Sequence, residues 1–183
     1  MPPGRVIGSG TTLDTARFRL LLATYLGVDS QHVHGYVVGE HGDSEVLTWS
    51  LVTAGGMPLG AFCHQNGLVL TDAVRDDIEH RVRDAAYQVI GGKGSTYYGI
   101  GAALAQVVNV ILRDQRSIFT VCTPVVKVTG VYDATLSLPH LVGKLGVLAS
   151  FPLPLDAKEQ SALARSAQVV CQAIEELDAE ASA

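Results

Sequence analysis

The segment SIFTVCTPVVKV, residues 117–128, decides the predicted fold of this chain because β-branched and aromatic residues are frequent in it. The turn residues Thr129 and Gly130 follow it directly. Further strands are predicted at 132–138 and 145–151, so that consecutive strands joined by short turns form an antiparallel meander.

Helical patterns lie on both sides of this meander. Apolar residues recur at helical spacing over 12–26, 74–89, 100–111 and 163–177, and the tail that follows the last helix, from Asp178, is expected to fray. The repeated βαβ units of a nucleotide-binding sheet are absent. The order of the elements therefore predicts the α+β class, with a mostly antiparallel twisted sheet packed with long helices.

A polar turn, Gly39–Ser44 (GEHGDS), lies between two further predicted strands at 33–38 and 45–53, and a loop is predicted at 54–60. Loops held by strands often carry functional side chains, which makes His41 in this turn the first candidate site residue. The alternative is a solvent-exposed turn histidine without a function.

Composition narrows the classes of protein. Hydrophobic residues make up 48% and charged residues 17% of the 183 residues, which excludes a disordered chain. The net charge of −5 does not suit a nucleic-acid binder that neutralises phosphates. No apolar run approaches the roughly 20 residues of a membrane helix, and no signal peptide is recognisable. With three widely spaced cysteines, these features predict a single soluble domain over 1–183 in the cytoplasm.

Two glycine-rich stretches have some features of nucleotide-binding loops but do not match them. The dinucleotide fingerprint needs a glycine three residues after Gly10, where Leu13 stands. In the stretch 91–96, Gly94 separates the lysine from Ser95, unlike the order in a phosphate-binding loop. Neither stretch predicts a nucleotide site.

Asp14 and Arg17 are three residues apart on the first predicted helix and share one face of it. Either they form a surface ion pair worth about 0–1 kcal/mol, or they have separate roles in a site. In the second interpretation Asp14 orients a histidine, whereas Arg17 binds a carboxylate through two parallel hydrogen bonds. Arg19 lies about 200° around the helix axis from Arg17 and therefore faces another side of the helix.

His32 and His34 alternate along a predicted strand. A solvent-exposed strand edge is favoured over a metal-binding pair, because no third ligand is evident nearby. The sequence therefore predicts no metal site.

Three blocks of sequence, taken together, resemble a known family. They are IGSGTTLDTARFR (residues 7–19), the turn 39–44 and STYYGIG (residues 95–101). In order and spacing they resemble the C-terminal half of the NAD-dependent L-lactate dehydrogenases, within the lactate/malate dehydrogenase family. The β segment up to Pro139 and the terminal helix also resemble that family, so the resemblance covers essentially the whole chain.

The resemblance implies an enzyme that interconverts pyruvate and L-lactate by hydride transfer with NAD. His41 would be the acid–base residue, with Asp14 as its carboxylate partner. Arg17 would bind the substrate carboxylate, Thr96 would lie beside the substrate methyl group, and Ser9 would help to seat the nicotinamide. A threonine at position 96 favours lactate over malate, and a malate dehydrogenase-type domain is the alternative.

The resemblance also implies a regulatory site and an oligomer. Arg19 and His34 match the pair that binds fructose 1,6-bisphosphate between subunits in many bacterial lactate dehydrogenases, and the enzymes of the family are tetramers. For both residues, an interface contact or a solvated charge is the alternative. A homo-oligomer is therefore expected.

The family carries a Rossmann domain ahead of the segment that this sequence resembles. That domain holds most of the NAD contacts and a mobile loop with a catalytic arginine, and neither is found in this sequence. An open half-site cannot hold reacting atoms in near-contact geometry, so the chain alone is expected to be inactive. The second hypothesis is a non-catalytic fragment that assembles subunits or binds the sugar bisphosphate.

Overall fold

The computed structural model describes residues 3–181. Within them, six α-helices span Thr12–Leu26 (α1), Leu59–Gln65 (α2), Asp72–Arg83 (α3), Ala85–Lys93 (α4), Tyr98–Arg113 (α5) and Ala157–Ala181 (α6). The strands of the same region are Val33–His34 (β1), Val37–Val38 (β2), Val46–Leu47 (β3), Thr53–Ala54 (β4), Met57–Pro58 (β5), Ser117–Phe119 (β6), Cys122–Val128 (β7), Val131–Ser137 (β8), His140–Gly143 (β9) and Gly146–Ser150 (β10). They pair antiparallel in small sheets, which confirms the α+β class.

Helix α1 is the central element of the largest core. Its bounds agree with the predicted range 12–26, because Gly27 takes a left-handed conformation (φ 71°) and donates its N–H to the carbonyl of Ala23. Phe18 and Leu22 on this helix are fully buried. The core that surrounds them is drawn from the segments between β1 and α3: Val33, Val37, Leu47, Val52, Ala54, Leu59, Cys63, Ile78 and Val82.

Helix α6 packs against two hairpins. Ala167 of α6 lies in a buried cluster with Leu136 of β8, whereas Leu163 lies in a second cluster with Val38 and Val46. The helix therefore joins the β7–β8 hairpin to the β2–β3 hairpin, which carries the polar turn.

The single strand predicted at 33–38 is wrong, because β1 and β2 are separate strands in different sheets. Between them, the carbonyl of Gly35 accepts a hydrogen bond of 2.9 Å from Nε of Arg19. The N–H of Tyr36 donates to the hydroxyl of Thr48 at 3.0 Å, and that hydroxyl bonds the Tyr36 carbonyl at 3.0 Å. The side chains of Arg19 and Thr48 thus occupy backbone hydrogen-bonding groups that a continuous strand would pair with its neighbour.

The strand predicted at 45–53 is also divided, into β3, a 3₁₀ turn and β4. The N–H of Ser50 donates to the carboxylate of Glu159 at 2.8 Å, which stabilises the turn. The predicted loop at 54–60 is likewise wrong in part: β4 and β5 form a hairpin through two glycines with positive φ, Gly55 and Gly56.

The helix predicted over 74–89 is two helices, α3 and α4, which meet at Asp84. The N–H of Asp84 still donates to the carbonyl of His80 at 2.8 Å, so the apolar pattern continues across the junction. Helix α4 ends at Lys93, and Gly94 closes it in a left-handed conformation. The next predicted helix corresponds to α5.

The predicted meander is two sheets. The segment 117–128 is divided into β6 and β7 at Thr120, whose buried hydroxyl lies 2.9 Å from that of Thr15 on α1. The strand predicted at 132–138 corresponds to β8, which pairs with β7, and that at 145–151 corresponds to β10. The prediction missed β9, which lies between β6 and β10 in the other sheet.

Helix α6 continues to Ala181, so the prediction that the tail frays from Asp178 is wrong for residues 178–181. Residues 182–183, like residues 1–2, lie outside the described part of the chain. Over 3–181, no helix has both the length and the apolar character needed to cross a bilayer.

Candidate active site

The first turn of α1 holds Asp14 in a fixed position. The N–H of Thr11, just before the helix, donates to the hydroxyl of Ser137 at 3.2 Å. The hydroxyl of Thr11 donates to the carbonyl of Val37. These bonds attach the start of α1 to β2 and to the end of β8. As a result Asp14, only 3% exposed, faces the polar turn between β2 and β3.

The polar turn is held in place by α6 and by the carboxylate of Glu40, which lies within the turn. Gly39 forms backbone hydrogen bonds of 2.8 and 2.9 Å with the last residue of β8. The hydroxyl of Ser166 on α6 accepts the N–H of Glu40 at 2.8 Å. The Glu40 carboxylate accepts both the N–H and the hydroxyl of Ser44. The turn is therefore closed at its base, and His41 projects from it with half of its side chain exposed.

Asp14 joins the two other candidate residues. Its Oδ1 accepts a hydrogen bond of 2.8 Å from Nη1 of Arg17, and its Oδ2 lies 2.8 Å from Nδ1 of His41. The hydrogen bond to Asp14 raises the pKa of His41, although partial burial acts in the opposite direction. The structure thus brings Asp14, Arg17 and His41 together at one spot.

The three residues line a cavity of about 230 Å³ together with other residues, including Glu45, Arg83 and Tyr87. Arg83 of α3 donates from Nη2 to the backbone carbonyl of Glu45 at 3.2 Å. Burial raises the pKa of the Glu45 carboxyl to about 8, and the nearby Asp14 acts in the same direction. Neither Glu45 nor Arg83 was predicted from the sequence as a site residue. An acidic residue next to the apolar pair of β3 is the signal that could have marked Glu45.

Asp14, His41 and Glu45 also have the geometry of a possible metal site. Their ligand atoms all lie within 4.8 Å of one another. Arg17 and Arg83 line the same cavity, however, and their positive charges oppose the binding of a cation there.

Two further predicted site residues lie on segments beside α1. Ser9 is half-buried just before α1, and its carbonyl accepts the N–H of Thr12 at 3.3 Å. Thr96 is half-buried in the connection between α4 and α5. An added Cβ at Gly99, in the first turn of α5, would lie 3.1 Å from Leu13, so this region packs on α1 next to Asp14. Neither Ser9 nor Thr96 is among the described residues that line the cavity.

The expectation that Arg19 faces away from Arg17 is confirmed. Arg19 lines a different, larger cavity of about 460 Å³, with its guanidinium 5.2 Å from the ring centroid of Tyr36. Burial lowers the pKa of Arg19. His34 is exposed on β1 and is not among the described residues that line this cavity.

A buried carboxylate, an imidazole and a guanidinium around one small cavity define the class of the site. Such groups can donate and accept a proton beside a bound carboxylate, and here an α+β domain holds them. Residues 11–181 match the family described as lactate/malate dehydrogenase, alpha/beta C-terminal domain. The chain belongs to this family.

Similar proteins include the L-lactate dehydrogenase of Geotalea daltonii, which is 58% identical over 97% of this chain and 57% of its own length. The L-lactate dehydrogenase of Thermus aquaticus is 52% identical over 93% of this chain and 55% of its own. A solved lactate dehydrogenase from a Medee basin deep-sea metagenome library superposes with a TM-score of 0.92 at 36% identity, over 97% of this chain and 57% of that one. The chain thus spans about half the length of these relatives.

Proposed function

We propose that the chain is the substrate domain of an NAD-dependent L-lactate dehydrogenase, which interconverts pyruvate and L-lactate. The observation that carries this proposal is the meeting of His41, Asp14 and Arg17 at one cavity of about 230 Å³. A cavity of this size suits a small hydroxy acid. The 58% identity to an L-lactate dehydrogenase supports the choice of substrate.

His41 is the proposed acid–base residue. Its Nδ1 faces Asp14, which leaves Nε2 as the atom that exchanges a proton with the substrate. Because the pKa of His41 is raised, more of the imidazole carries a proton at a given pH than in an unperturbed histidine. The imidazolium donates a proton to the carbonyl oxygen of pyruvate while the carbonyl carbon accepts a hydride. In the reverse direction the imidazole takes the proton back from the hydroxyl group of lactate.

Arg17 is the proposed carboxylate-binding residue. One of its N–H groups is bound to Asp14. The other donors of the guanidinium have no partner among the described residues, so they can pair with a carboxylate in two parallel hydrogen bonds. Asp14 therefore orients both the acid–base group and the group that fixes the substrate. Thr96 is proposed as the residue beside the substrate methyl group, which favours lactate over malate.

Ser9 is the proposed contact of this chain with NAD. A half-buried hydroxyl just before α1 fits a hydrogen bond to the nicotinamide amide, because it lies next to the helix that carries Asp14. When bound, the dinucleotide supplies or accepts the hydride. The other contacts are expected from the nucleotide-binding domain that the family carries.

A second candidate function rests on Arg19. This guanidinium is held by the carbonyl of Gly35 and lines a cavity with polar residues such as Gln31, Gln106 and Asn109. It supports a site for fructose 1,6-bisphosphate, with His34 as partner, in a homo-oligomer. Size-exclusion chromatography of the chain with and without this sugar bisphosphate tests the proposal. A strictly monomeric chain that does not respond to the ligand would contradict it.

The main proposal is tested by completing the enzyme. The chain is fused behind the nucleotide-binding half of the Geotalea daltonii relative, and NADH oxidation is measured with pyruvate and with oxaloacetate. We expect the fusion to reduce pyruvate, with the higher kcat/KM for that substrate, and the chain alone to be inactive. A folded fusion without activity contradicts the proposed function. A clear preference for oxaloacetate supports the malate dehydrogenase-type alternative instead.

A further inference from the structure

Glu45 is a buried carboxyl group that the proposed reaction does not use. Glu45 lies directly before β3 and is only 4% exposed. Its backbone is held by two hydrogen bonds, since its N–H donates to the carbonyl of Gly42 and its carbonyl accepts from Arg83. Its Oε1, by contrast, is buried and has no hydrogen-bond partner among the described residues.

The surroundings of this carboxyl are charged. Asp14 and His41 each have a donor or acceptor atom within 4.8 Å of it. The positive charges of Arg83 on α3, of His41 when protonated and of Arg17 on α1 lower the pKa of Glu45. Desolvation and Asp14 act more strongly in the other direction and raise that pKa to about 8. Burial and the neighbouring Asp14 therefore make the Glu45 carboxyl ionise at a higher pH than an exposed glutamate does.

We propose that Glu45 is a positioning residue for the proton of His41, because its carboxyl is a second charge partner of the imidazole beside Asp14. A protonated His41 favours the ionised form of Glu45, and a neutral His41 favours the protonated form. The site then exchanges protons with solvent in two coupled steps. The inference deepens the proposed function, since it assumes that the proton on His41 matters for the reaction.

The coupling is measured on the chain itself, by following the imidazole NMR signals of His41 between pH 5 and pH 10. In the unaltered chain the signals are expected to respond twice, once as His41 titrates and again near pH 8 as Glu45 ionises. The substitution Glu45→Gln removes the ionisable group and keeps the shape of the protonated form. We expect it to abolish the response near pH 8 and to lower the pKa of His41, because the Glu45 carboxylate is one of the charges that raise that pKa.

Two variants serve as controls. Glu45→Asp keeps a carboxyl group at the position and is expected to retain the second response. Glu175→Gln removes an exposed carboxyl on α6 and is expected to leave the His41 titration unchanged. If the unaltered chain shows one response only, or if Glu45→Gln leaves the His41 curve unchanged, the proposal is wrong.

This result is independent of the proposed reaction. A completed enzyme without activity on pyruvate overturns the function and leaves the coupling measured on the chain intact. In an active fusion, Glu45→Gln is expected to change the pH profile of kcat/KM above pH 7, which a purely structural residue does not do.

Discussion

Replacing Gly39 by alanine tests how the turn that carries His41 is held. Gly39 has a φ of 98°, a backbone angle that residues other than glycine rarely adopt. An added Cβ would also lie 2.5 Å from Oγ of Ser166 on α6, a distance that requires the serine to move. That same hydroxyl accepts the N–H of Glu40 and bonds the hydroxyl of Ser44.

The cost has two parts. The unfavourable backbone conformation of alanine costs about 1–3 kcal/mol. Moving Ser166 weakens its bonds to Glu40 and Ser44, each worth about 0.5–1.5 kcal/mol. Gly130 provides a matched control, because its φ is 89° and nothing lies within 4 Å of its added Cβ. Gly130→Ala therefore carries the backbone cost alone, and Gly39→Ala is expected to be less stable by a further amount of about 1–3 kcal/mol.

Thermal unfolding of the chain, followed by circular dichroism, measures this difference. For a chain of this size 1 kcal/mol corresponds to about 2–4 °C in Tm, so Gly39→Ala should melt about 2–12 °C below Gly130→Ala. Adding Ser166→Ala should cost less in the Gly39→Ala background than in the unaltered chain, because it removes the clashing atom. Equal melting temperatures for the two glycine variants, or additive effects of the two changes, refute the reasoning.

Three further outcomes are expected. Asp14→Asn removes a charge-assisted hydrogen bond and should lower the pKa of His41 by about one pH unit in an NMR titration; no change contradicts the pairing. His140 is fully buried, its Nε2 has no partner among the described residues, and burial lowers its pKa. Because the folded pKa lies below the unfolded value of about 6.5, its contribution to stability is present above that pH and is lost as pH falls towards the folded pKa, by up to about 1.4 kcal/mol per pH unit. Urea unfolding should show a shallower loss below pH 6.5 for His140→Gln, and an equal slope contradicts this assignment. Phe18→Ala leaves a cavity in the core around α1 and should lower the free energy of unfolding by about 3–5 kcal/mol in the same assay. A decrease of less than about 1 kcal/mol would contradict the importance of this core for stability.

Sequence patterns were sufficient where the deciding interactions are local. The bounds of α1 follow from its apolar period and from Gly27, whose left-handed conformation ends the helix within the same turn. The pair Asp14 and Arg17 could be predicted for the same reason, since a separation of three residues brings side chains together on any helix. The family resemblance then connected this pair to His41.

Patterns failed where a distant residue decides the local structure. The strand predicted over 33–38 is interrupted because Arg19 and Thr48, from other elements, bond its backbone. The strand β9 was missed because its position depends on pairing with both β6 and β10. Glu45 was missed for a related reason: an acidic residue at a strand end is usually exposed, and its burial depends on α1 and on Arg83 of α3.

The most direct test of the proposed function compares two histidines in the fusion enzyme. His41 and His80 each lie close to an aspartate, at 2.8 Å from Asp14 and 3.1 Å from Asp84, but His80 is exposed on α3 and is not among the described residues that line the cavity. We predict that His41→Gln lowers kcat/KM for pyruvate by about 10²–10⁴-fold, the usual contribution of acid–base catalysis. His80→Gln should leave kcat/KM nearly unchanged. Similar losses in the two variants, or a His41→Gln enzyme as active as the unaltered fusion, would contradict the assignment of His41 as the acid–base residue.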